Sequence, residues 1–400
     1  MIYLDHNATT PIAPEVLEAM TRAARDFPGN PASQHQLGQR ARRQLERCRE
    51  EIAEAFGADV TSLRGDQLLF TSGGTEANNL ALLGLGIADP AIYKITQDRL
   101  LVSAIEHPSI RAAALHLKTL GADLQIIPVD ETCKIKLEQV ASLLADKSHL
   151  KPRLVSVMLA SNETGALQPM ADLACKCREF GVLLHTDAVQ AAGKIDVSLK
   201  QLGVDALSIT PHKFYGPLGI GALLVREGVK LAPQLFGGFQ QTSLRPGTES
   251  VMLAEGFRAA VALYQQEAAD RLEHLRSLRD QLARLLCDGD RAAVVHCAGT
   301  PQLPQTLSIA FPGVDRQKLV IAVDMQGVAI SSGSACASGS SEPSPTLLAM
   351  GLSQELVEST VRLSVGRSTT PAEIKEAARR ILFSVNNLRV GRSAGQFSEK

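Results

Sequence analysis

The chain has 400 residues and a net charge of −1, from 41 basic and 42 acidic side chains. This near balance gives no sign of a nucleic-acid-binding or membrane surface, and no apolar run is long enough to span a bilayer. The length of 400 residues predicts two domains, or one large and one small, and the hydrophobic content of 45% is enough for a large core. The seven scattered cysteines and the lack of an N-terminal signal pattern predict reduced thiols in a cytoplasmic protein.

Strands and helices alternate through the first half of the chain. Short apolar segments, each followed by a stretch with helical character, predict strands at 67–70, 100–105, 124–129, 154–160 and 182–186. This alternation predicts an α/β fold with a mainly parallel sheet covered by helices on both faces. In such sheets, ligands bind beyond the carboxyl ends of the strands.

Polar residues follow the predicted strands at those carboxyl ends. Gly74 and Thr75 lie where a strand turns into a helix, and backbone N–H groups at a helix N-terminus can cradle a phosphate. A Gly-Gly pair is also compatible with a simple tight turn. His107, Asn162 and Asp187 end three further strands, so we predict that one crevice collects all of these groups.

A single lysine, Lys213, lies between two short apolar strands predicted at 206–209 and 220–225. Loss of hydration in an apolar, glycine-rich corner favours the neutral amine, which is a nucleophile. The chemistry that most needs such a lysine is a Schiff base with pyridoxal phosphate (PLP). Most lysines are solvated surface residues, so the assignment depends on the other motifs.

The predicted crevice offers a partner for each part of PLP, and no metal site is predicted. Asp187 could keep the ring nitrogen protonated, although an Asp at a strand end often only caps the next helix. His107 offers a flat ring and a proton carrier, although a lone histidine is usually structural. Gln190 or Asn162 could meet the ring hydroxyl. Besides backbone amides, the phosphate is expected to meet Thr75, Thr210 and His212.

A second, smaller α+β domain is predicted from about residue 260. Its strands are expected near 307–311 and 361–364, and its helices at about 316–325 and 371–386. The predicted division assigns 13–260 to a large PLP-binding domain, and 1–12 with 261–400 to the small domain. The small domain would carry Cys336 in a run of Ser and Gly residues. A cysteine on such a loop can attack and transfer sulfur, although loop cysteines without function are common.

The motifs together resemble those of the cysteine desulfurases of the NifS/IscS type, within the class V aminotransferase family. The Ser-rich segment before and after Cys336 is similar to that of the long-loop, or group I, members. The resemblance covers almost the whole chain and lies in the segments 3–11, 29–35, 70–76, 106–107, 162–165, 187–190, 212–217, 245–248, 331–336 and 362–367.

The resemblance implies a PLP-dependent transferase of the type I fold, working as a homodimer with its sites at the subunit interface. It makes Lys213 the Schiff-base lysine and Asp187 the partner of the ring nitrogen. It places His107 on the ring face and Gln190 at the ring oxygen. The phosphate positions that it implies are Gly74, Thr75, Thr210, His212 and, reaching the partner subunit's phosphate, Thr248.

The resemblance also implies the substrate and the reaction. Asn162 and Arg362 would hold the carboxylate of L-cysteine, with the guanidinium as a two-pronged clamp. Cys336 would attack the substrate sulfur, leaving L-alanine and an enzyme persulfide for a sulfur-acceptor or scaffold protein. The pathway stays open between iron–sulfur cluster assembly, tRNA thiolation, cofactor synthesis and DNA modification.

The chain departs from the family pattern at Pro211 and at 241–243, and three alternatives to a cysteine desulfurase stay open. Pro211 stands where relatives often have Gly, and 241–243 lacks their Glu-Arg-Gly, which could change the rim of a dimeric site. The same site could act as a selenocysteine lyase. An amino-group transferase would leave Cys336 without a role. A catalytically silent dimeric binding partner would not need Lys213, Asp187, His107, Cys336 and Arg362 together.

Overall fold

A computed structural model describes residues 1–62, 64–86, 99–147, 150–333 and 342–396, the last six of them by backbone alone. The strands are β1 (Ile2–Tyr3), β2 (Gln67–Thr71), β3 (Arg99–Ser103), β4 (Asp123–Ile127), β5 (Pro152–Ser156), β6 (Leu183–Asp187), β7 (Ala206–Ile209), β8 (Gly221–Val225), β9 (Val294–Val295), β10 (Thr306–Ala310), β11 (Val328–Ala329) and β12 (Thr360–Ser364). The α-helices are α1 (Pro14–Asp26), α2 (Gln36–Ala55), α3 (Gly74–Gly86), α4 (Pro108–Thr119), α5 (Leu137–Ala145), α6 (Met170–Phe180), α7 (Leu199–Leu202), α8 (Val251–Gly289), α9 (Arg316–Met325), α10 (Pro345–Ala349), α11 (Gln354–Ser359) and α12 (Pro371–Gln396).

The large sheet has seven strands in the order β2-β8-β7-β6-β5-β3-β4. The strands from β7 to β4 are parallel, and β8 and β2 complete one edge in antiparallel pairing. This confirms the prediction of a mainly parallel sheet. The antiparallel pair β7–β8 forms because the chain turns back directly after Lys213, as the two short apolar segments around that lysine predicted.

The strands of this sheet are apolar on both faces because helices cover both. Leu69 and Leu100 pack with α3 and α4 on one side, while Phe70 and Leu101 belong to the cluster formed with α1, α2 and α6 on the other. Near-continuous apolar strands are typical of parallel sheets buried in this way. None of the helices in the described ranges has the length and apolarity of a membrane span.

A separate hydrophobic cluster surrounds β10 and β12. It includes Leu4 from the N-terminal segment, and β1 pairs in parallel with β11. Helix α8, 39 residues long, passes through residue 260 without a break. Its residues up to Leu263 pack on the large sheet's cluster, and those from Leu275 onward pack on the second cluster. The division of the chain into two domains at about residue 260 stays a prediction.

Candidate active site

Lys213 ends a short 3-10 helix, Pro211–Lys213, between β7 and β8. Its Nζ donates hydrogen bonds to the main-chain oxygens of Asn7 (2.8 Å) and Ala8 (2.7 Å). The N-terminal segment therefore crosses the carboxyl end of the sheet directly at the lysine. Pro211 stands at the first position of the helix, where a missing N–H costs nothing, so this departure from the family pattern suits the local backbone.

Asp187, the last residue of β6, has a carboxylate held by two donors. Its Oδ1 accepts from the backbone N–H of Val189 (2.9 Å), and its Oδ2 accepts from Nδ2 of Asn78 (2.7 Å). Asn78 is buried on α3 and was not among the predicted site residues. The signal that could have revealed it is a polar side chain within an otherwise apolar helix.

A second hydrogen bond from Asn78 leads to His107. Asn78 Nδ2 also donates to Oγ of Ser109 (2.9 Å), and that oxygen lies 2.8 Å from Nδ1 of His107. The backbone N–H of Ser109 donates to the same Nδ1 (3.2 Å), so this nitrogen is an acceptor and a neutral ring carries its proton on Nε2. Burial lowers the pKa of His107 and the nearby Lys213 cation lowers it further, while Asp187 opposes both.

Gln190 lies beside the lysine and is fixed at both ends of its amide. Its Nε2 donates to the carbonyl of Asn7 (3.0 Å), and its Oε1 accepts from Nζ of Lys194 (3.0 Å). Burial lowers the pKa of Lys194 well below its usual range, with Lys213 and Arg362 adding to the effect. Lys194, which the sequence did not single out, therefore orients the side chain predicted to meet the ring oxygen.

The predicted phosphate cradle lies at the N-terminus of α3. Apart from Gly73 and its two chain neighbours, no described residue has an atom within 4 Å of the position that a Cβ on Gly73 would take, whereas a Cβ on Gly74 would meet Val189 at 2.9 Å. Glu76 fixes the turn, because it accepts from the backbone N–H of Ser72 (2.6 Å) and pairs with Arg245 (2.7 Å). The helix N-terminus thus presents backbone donors next to the 187–190 turn.

The side chains predicted to support that cradle differ in availability. Thr210 is buried and its hydroxyl donates to the carbonyl of Ile220 (2.9 Å), so in this conformation it offers lone pairs rather than a proton. His212 Nδ1 lies 3.2 Å from the hydroxyl of Thr9, and burial lowers the pKa of His212 to about 4. Thr75 and Thr248 are exposed.

The segment 241–243, where the chain departs from its relatives, has an unusual backbone. Gln241, Thr242 and Ser243 have φ values of 47°, 54° and 62°, in the left-handed region that side chains with a Cβ rarely adopt. The amide of Gln241 compensates, because it accepts from the N–H of Phe70 (2.7 Å) and donates to its carbonyl (2.9 Å). The Gln241 side chain thus covers part of the exposed edge of strand β2.

Arg362, on β12, is buried and faces the N-terminal segment. Its Nη2 pairs with Asp5 (2.7 Å), and its Nη1 donates to the carbonyls of Asn162 (3.0 Å) and Gly333 (3.3 Å). Its buried Nε has no hydrogen-bond partner within the described ranges. A buried, unpartnered guanidinium donor is costly unless a ligand satisfies it. Asp5 was not predicted as a site residue, although it lies in the 3–11 motif.

Glu163, next to Asn162, lies between the described segment that ends at Gly333 and the segment that leads into α10. Its Oε2 accepts from the hydroxyl of Ser344 (2.6 Å) and would lie 3.2 Å from a Cβ placed on Gly333. Cys336, the predicted sulfur acceptor, lies outside the described residues. The described residues on either side of it therefore meet at Glu163.

The groups of the candidate active site fit PLP. A lysine amine, a doubly hydrogen-bonded carboxylate, a neutral imidazole and an open glycine turn at a helix N-terminus lie along the carboxyl ends of parallel strands. These are the functional groups that the cofactor's aldehyde, ring nitrogen, ring face and phosphate require. The fold is the NifS-like fold of PLP-dependent enzymes.

Comparison with known proteins agrees. The family model for aminotransferase class-V matches residues 2–376, and the chain belongs to this family, whose members depend on PLP. A protein of Dictyoglomus turgidum named cysteine desulfurase IscS is 36% identical over 375 residues, which cover 93% of this chain and 91% of that protein.

Two solved structures extend the likeness to three dimensions. A NifS-like protein from Rickettsia africae is 31% identical, with a TM-score of 0.84, and the match covers 97% of this chain and 99% of the other. A protein described as SspA in complex with cysteine is 29% identical, with a TM-score of 0.76, over 91% of this chain and 99% of the other.

Proposed function

We propose that this protein is a PLP-dependent cysteine desulfurase that converts L-cysteine to L-alanine and collects the sulfur as a persulfide on Cys336. The observation that carries the proposal is the buried Nε donor of Arg362, which has no partner within the described ranges and belongs to a guanidinium bonded to Asn162. Such a donor suits the carboxylate of an amino acid. The names of the relatives point to the same substrate and reaction.

Several residues would hold the cofactor. Lys213 would bind its aldehyde carbon, Asp187 its ring nitrogen, Gln190 its ring oxygen, and the 73–75 turn its phosphate. When bound, PLP supplies an electron sink for negative charge at the substrate α-carbon. His107, held neutral with its proton on Nε2, would donate a hydrogen bond from that atom towards the substrate or the cofactor ring.

Sulfur leaves the substrate by attack of the Cys336 thiolate on the substrate sulfur. A new S–S bond forms and the C–S bond breaks, with its electron pair leaving on carbon, which then takes up a proton. The products are alanine and the Cys336 persulfide. The two sulfurs are oxidised and the substrate carbon is reduced, so no added oxidant is needed. An acceptor protein with a free thiol then takes the outer sulfur by the same exchange.

The assembly is part of the same proposal. Thr248 is exposed on the subunit described and comes three residues after Arg245, which pairs with Glu76 at the phosphate turn. We expect a homodimer in which each Thr248 completes the partner's phosphate site. No observation favours selenocysteine over cysteine, or a silent binding role.

The test is mass spectrometry of the holoenzyme after brief exposure to L-cysteine without reductant. We expect one added sulfur on the Cys336 peptide and an equal amount of alanine. Cys336→Ser should bind cysteine without releasing alanine, whereas Cys175→Ser, which changes an exposed cysteine on α6, should behave as wild type. Alanine formed normally by Cys336→Ser would overturn the persulfide assignment.

A further inference from the structure

Tyr215, two residues after Lys213, connects the lysine segment to the segment that follows β12. Its side chain is buried and belongs to the hydrophobic cluster of the large sheet. Its hydroxyl accepts a hydrogen bond from the backbone N–H of Arg367 (2.5 Å). Arg367 comes five residues after Arg362 in the chain. One side chain therefore joins the segment of the proposed cofactor lysine to the segment that continues from the proposed substrate arginine.

The backbone of Tyr215 has a conformation that a tyrosine seldom adopts. Its φ is 72°, in the left-handed region that glycine occupies without steric cost. The main chain is held there by the N-terminal segment, because its N–H donates to Oγ1 of Thr10 (2.6 Å) and its carbonyl accepts from the N–H of Ala13 (2.9 Å). Such conformations persist only where the surrounding structure imposes them, and they concentrate at functional sites. A tyrosine at a position that suits glycine indicates a task for its side chain.

Helix α8 holds the ring of Tyr215 in place. The guanidinium of Arg271 lies 5.1 Å from the ring centroid, within the range of a cation–π contact. Glu267 pairs with Arg271 (2.6 Å) and also with the side chain of Arg367 (2.6 Å). Both α8 residues lie between 263 and 275, where the packing of the helix passes from the large sheet's cluster to the second cluster. The contact of the Tyr215 hydroxyl therefore lies at the junction of the two clusters.

The relative position of the two clusters matters for a substrate that is held from both. In the proposed function, on which this inference rests, the amine end of cysteine meets the cofactor at Lys213 and the carboxylate binds Arg362. Lys213 follows β7 of the large sheet, whereas Arg362 lies on β12, whose residues Val361 and Leu363 belong to the second cluster. A misplacement of roughly 1 Å between groups that act together can cost roughly 100-fold in rate. A contact that fixes one cluster against the other therefore affects both substrate binding and turnover.

We propose that Tyr215 is a positioning residue for the substrate, and that its hydroxyl fixes the 366–367 turn and thereby the distance between Arg362 and Lys213. In this role Tyr215 acts through Arg362 rather than on the substrate itself. Its loss should therefore weaken the binding of a ligand that has a carboxylate. It should leave PLP binding unchanged, because the main-chain bonds that hold the lysine segment do not involve the hydroxyl.

The path from the hydroxyl to the proposed substrate arginine runs along the main chain at the end of β12. The 366–369 turn is closed on itself, because the N–H of Gly366 donates to Oγ1 of Thr369 (2.9 Å) and the N–H of Thr369 donates to the carbonyl of Gly366 (3.1 Å). The ring of His6 packs against Gly366 so closely that a Cβ there would overlap with it. The turn is thus held both by His6 and by the Tyr215 hydroxyl. Without that hydroxyl, the backbone N–H bonded to it loses its acceptor, and the turn has to shift to pair it again.

The first experiment tests the contact in the full-length holoenzyme by amide hydrogen exchange, measured by mass spectrometry. Tyr215→Phe keeps the ring near Arg271 but removes the acceptor, so we expect peptides that cover 365–370 to exchange several-fold faster. The control Tyr264→Phe removes the hydroxyl of another tyrosine near Arg271 (5.8 Å) and should leave those peptides unchanged. Unchanged exchange in Tyr215→Phe would overturn the proposal, whichever substrate the enzyme uses.

The second experiment measures ligand binding to holoenzyme carrying Cys336→Ser, by the change in cofactor absorbance. Adding Tyr215→Phe should weaken L-cysteine binding roughly tenfold. Cysteamine has the amine and the thiol but no carboxylate for Arg362, so its binding and the affinity of the apoprotein for PLP should stay within about twofold. Equal weakening for cysteine and cysteamine, or none for cysteine, would overturn the proposal. Failure of Cys336→Ser alone to bind cysteine would instead overturn the proposed function.

A third measurement, in the same Cys336→Ser holoenzyme, asks whether Tyr215 acts through Arg362. Arg362→Lys alone should weaken L-cysteine binding. Adding Tyr215→Phe to it should change the affinity by less than about twofold, because the path from the hydroxyl ends at the guanidinium that has been removed. The control combination of Arg362→Lys with Tyr264→Phe should match Arg362→Lys alone. A further loss of roughly tenfold on adding Tyr215→Phe would show that the two residues act independently and would overturn the proposal.

Discussion

The candidate site has two sides that are built in different ways. On the cofactor side, Lys213, Asp187 and His107 each lie at or shortly after the end of a strand of one sheet, and Asp187 and His107 share contacts with Asn78 and Ser109 on the covering helices α3 and α4. On the substrate side, Arg362 is held by Asp5, Asn162 and Gly333, which come from three distant parts of the chain.

The two sides of the site therefore depend on different parts of the fold. The sheet places its strand ends regardless of what is bound, so the core positions most of the cofactor side. The N-terminal segment adds the main-chain oxygens of Asn7 and Ala8 that accept from Lys213 and Gln190.

The substrate side depends on the ion pair between the buried Arg362 and the partly buried Asp5, which exists only when the N-terminal segment is docked. We therefore expect changes on the cofactor side to alter the chemistry. On the substrate side, we expect changes of Arg362 to alter substrate affinity and changes of its partner Asp5 to alter stability.

The largest effect is expected from Lys213→Ala on the cofactor side. Removing the amine should abolish the absorbance band of covalently bound PLP and reduce turnover by more than roughly 10³-fold. Thermal unfolding of the apoprotein should change little. Absorbance spectroscopy and alanine release measure the two outcomes. The exposed Lys200→Ala serves as a control, and a surviving band in Lys213→Ala would show that another lysine carries the cofactor.

Arg362→Lys tests the substrate side. Lysine keeps the charge but loses the planar fork, so we expect KM for cysteine to rise roughly 100-fold, or about 3 kcal/mol, with a smaller change in kcat. The matched variant Asp5→Asn removes the internal anion and leaves the fork. It should lower the free energy of unfolding by about 3 kcal/mol without raising KM. A KM that rises equally in both variants would contradict the separate roles.

The same contrast explains what the sequence could predict. Lys213, Asp187 and His107 could be found because each lies at or shortly after the end of its own apolar strand, and parallel strands end at one edge. Thr210 was predicted to meet phosphate, but its hydroxyl bond to Ile220 depends on how β7 and β8 pair. Asp5 and Asn78 were missed because their partners lie far away in the sequence. Local patterns do not report such long-range contacts.

Asn78→Ala should have an intermediate effect. It leaves Asp187 Oδ2 and Ser109 Oγ without their shared donor, so PLP should be held less firmly and kcat should fall roughly tenfold. The control Asn79→Ala changes the next residue of α3. Among the described residues, its amide donates to the carbonyls of Thr75 and Ser109, so kcat should stay within about twofold of the wild-type value. Titration of apoprotein with PLP and steady-state kinetics measure both. Equal losses in the two variants would show that helix stability, rather than the contact with Asp187, matters.

The smallest effect is expected from two buried histidines, one in the large sheet and one beside the second hydrophobic cluster. His185, on β6, lies between the hydroxyls of Ser156 (2.9 Å) and Ser208 (3.0 Å), and burial lowers its pKa to about 3. His296 contacts the hydroxyl of Thr360 (2.8 Å) beside the second cluster, and burial lowers its pKa to about 4. In both cases the unfolded chain takes up the proton first. The stability from the neutral ring is therefore complete above about pH 6.5 and is lost as the pH falls towards these values.

Each histidine should therefore cost about 1.4 kcal/mol of unfolding free energy at pH 5.5, one unit below the pKa of the unfolded chain. His185→Gln and His296→Gln should each reduce the pH dependence of urea unfolding between pH 7.5 and 5.5 by that amount. Burial raises the pKa of Glu106 to about 8, which acts with the opposite sign but equally in all three proteins. Because α8 runs unbroken through both hydrophobic clusters, we expect both variants to alter one shared transition. Two transitions, each sensitive to only one variant, would mean that the sheet and the second cluster unfold independently and that the ion pair of Arg362 with Asp5 can be lost while the cofactor side stays folded.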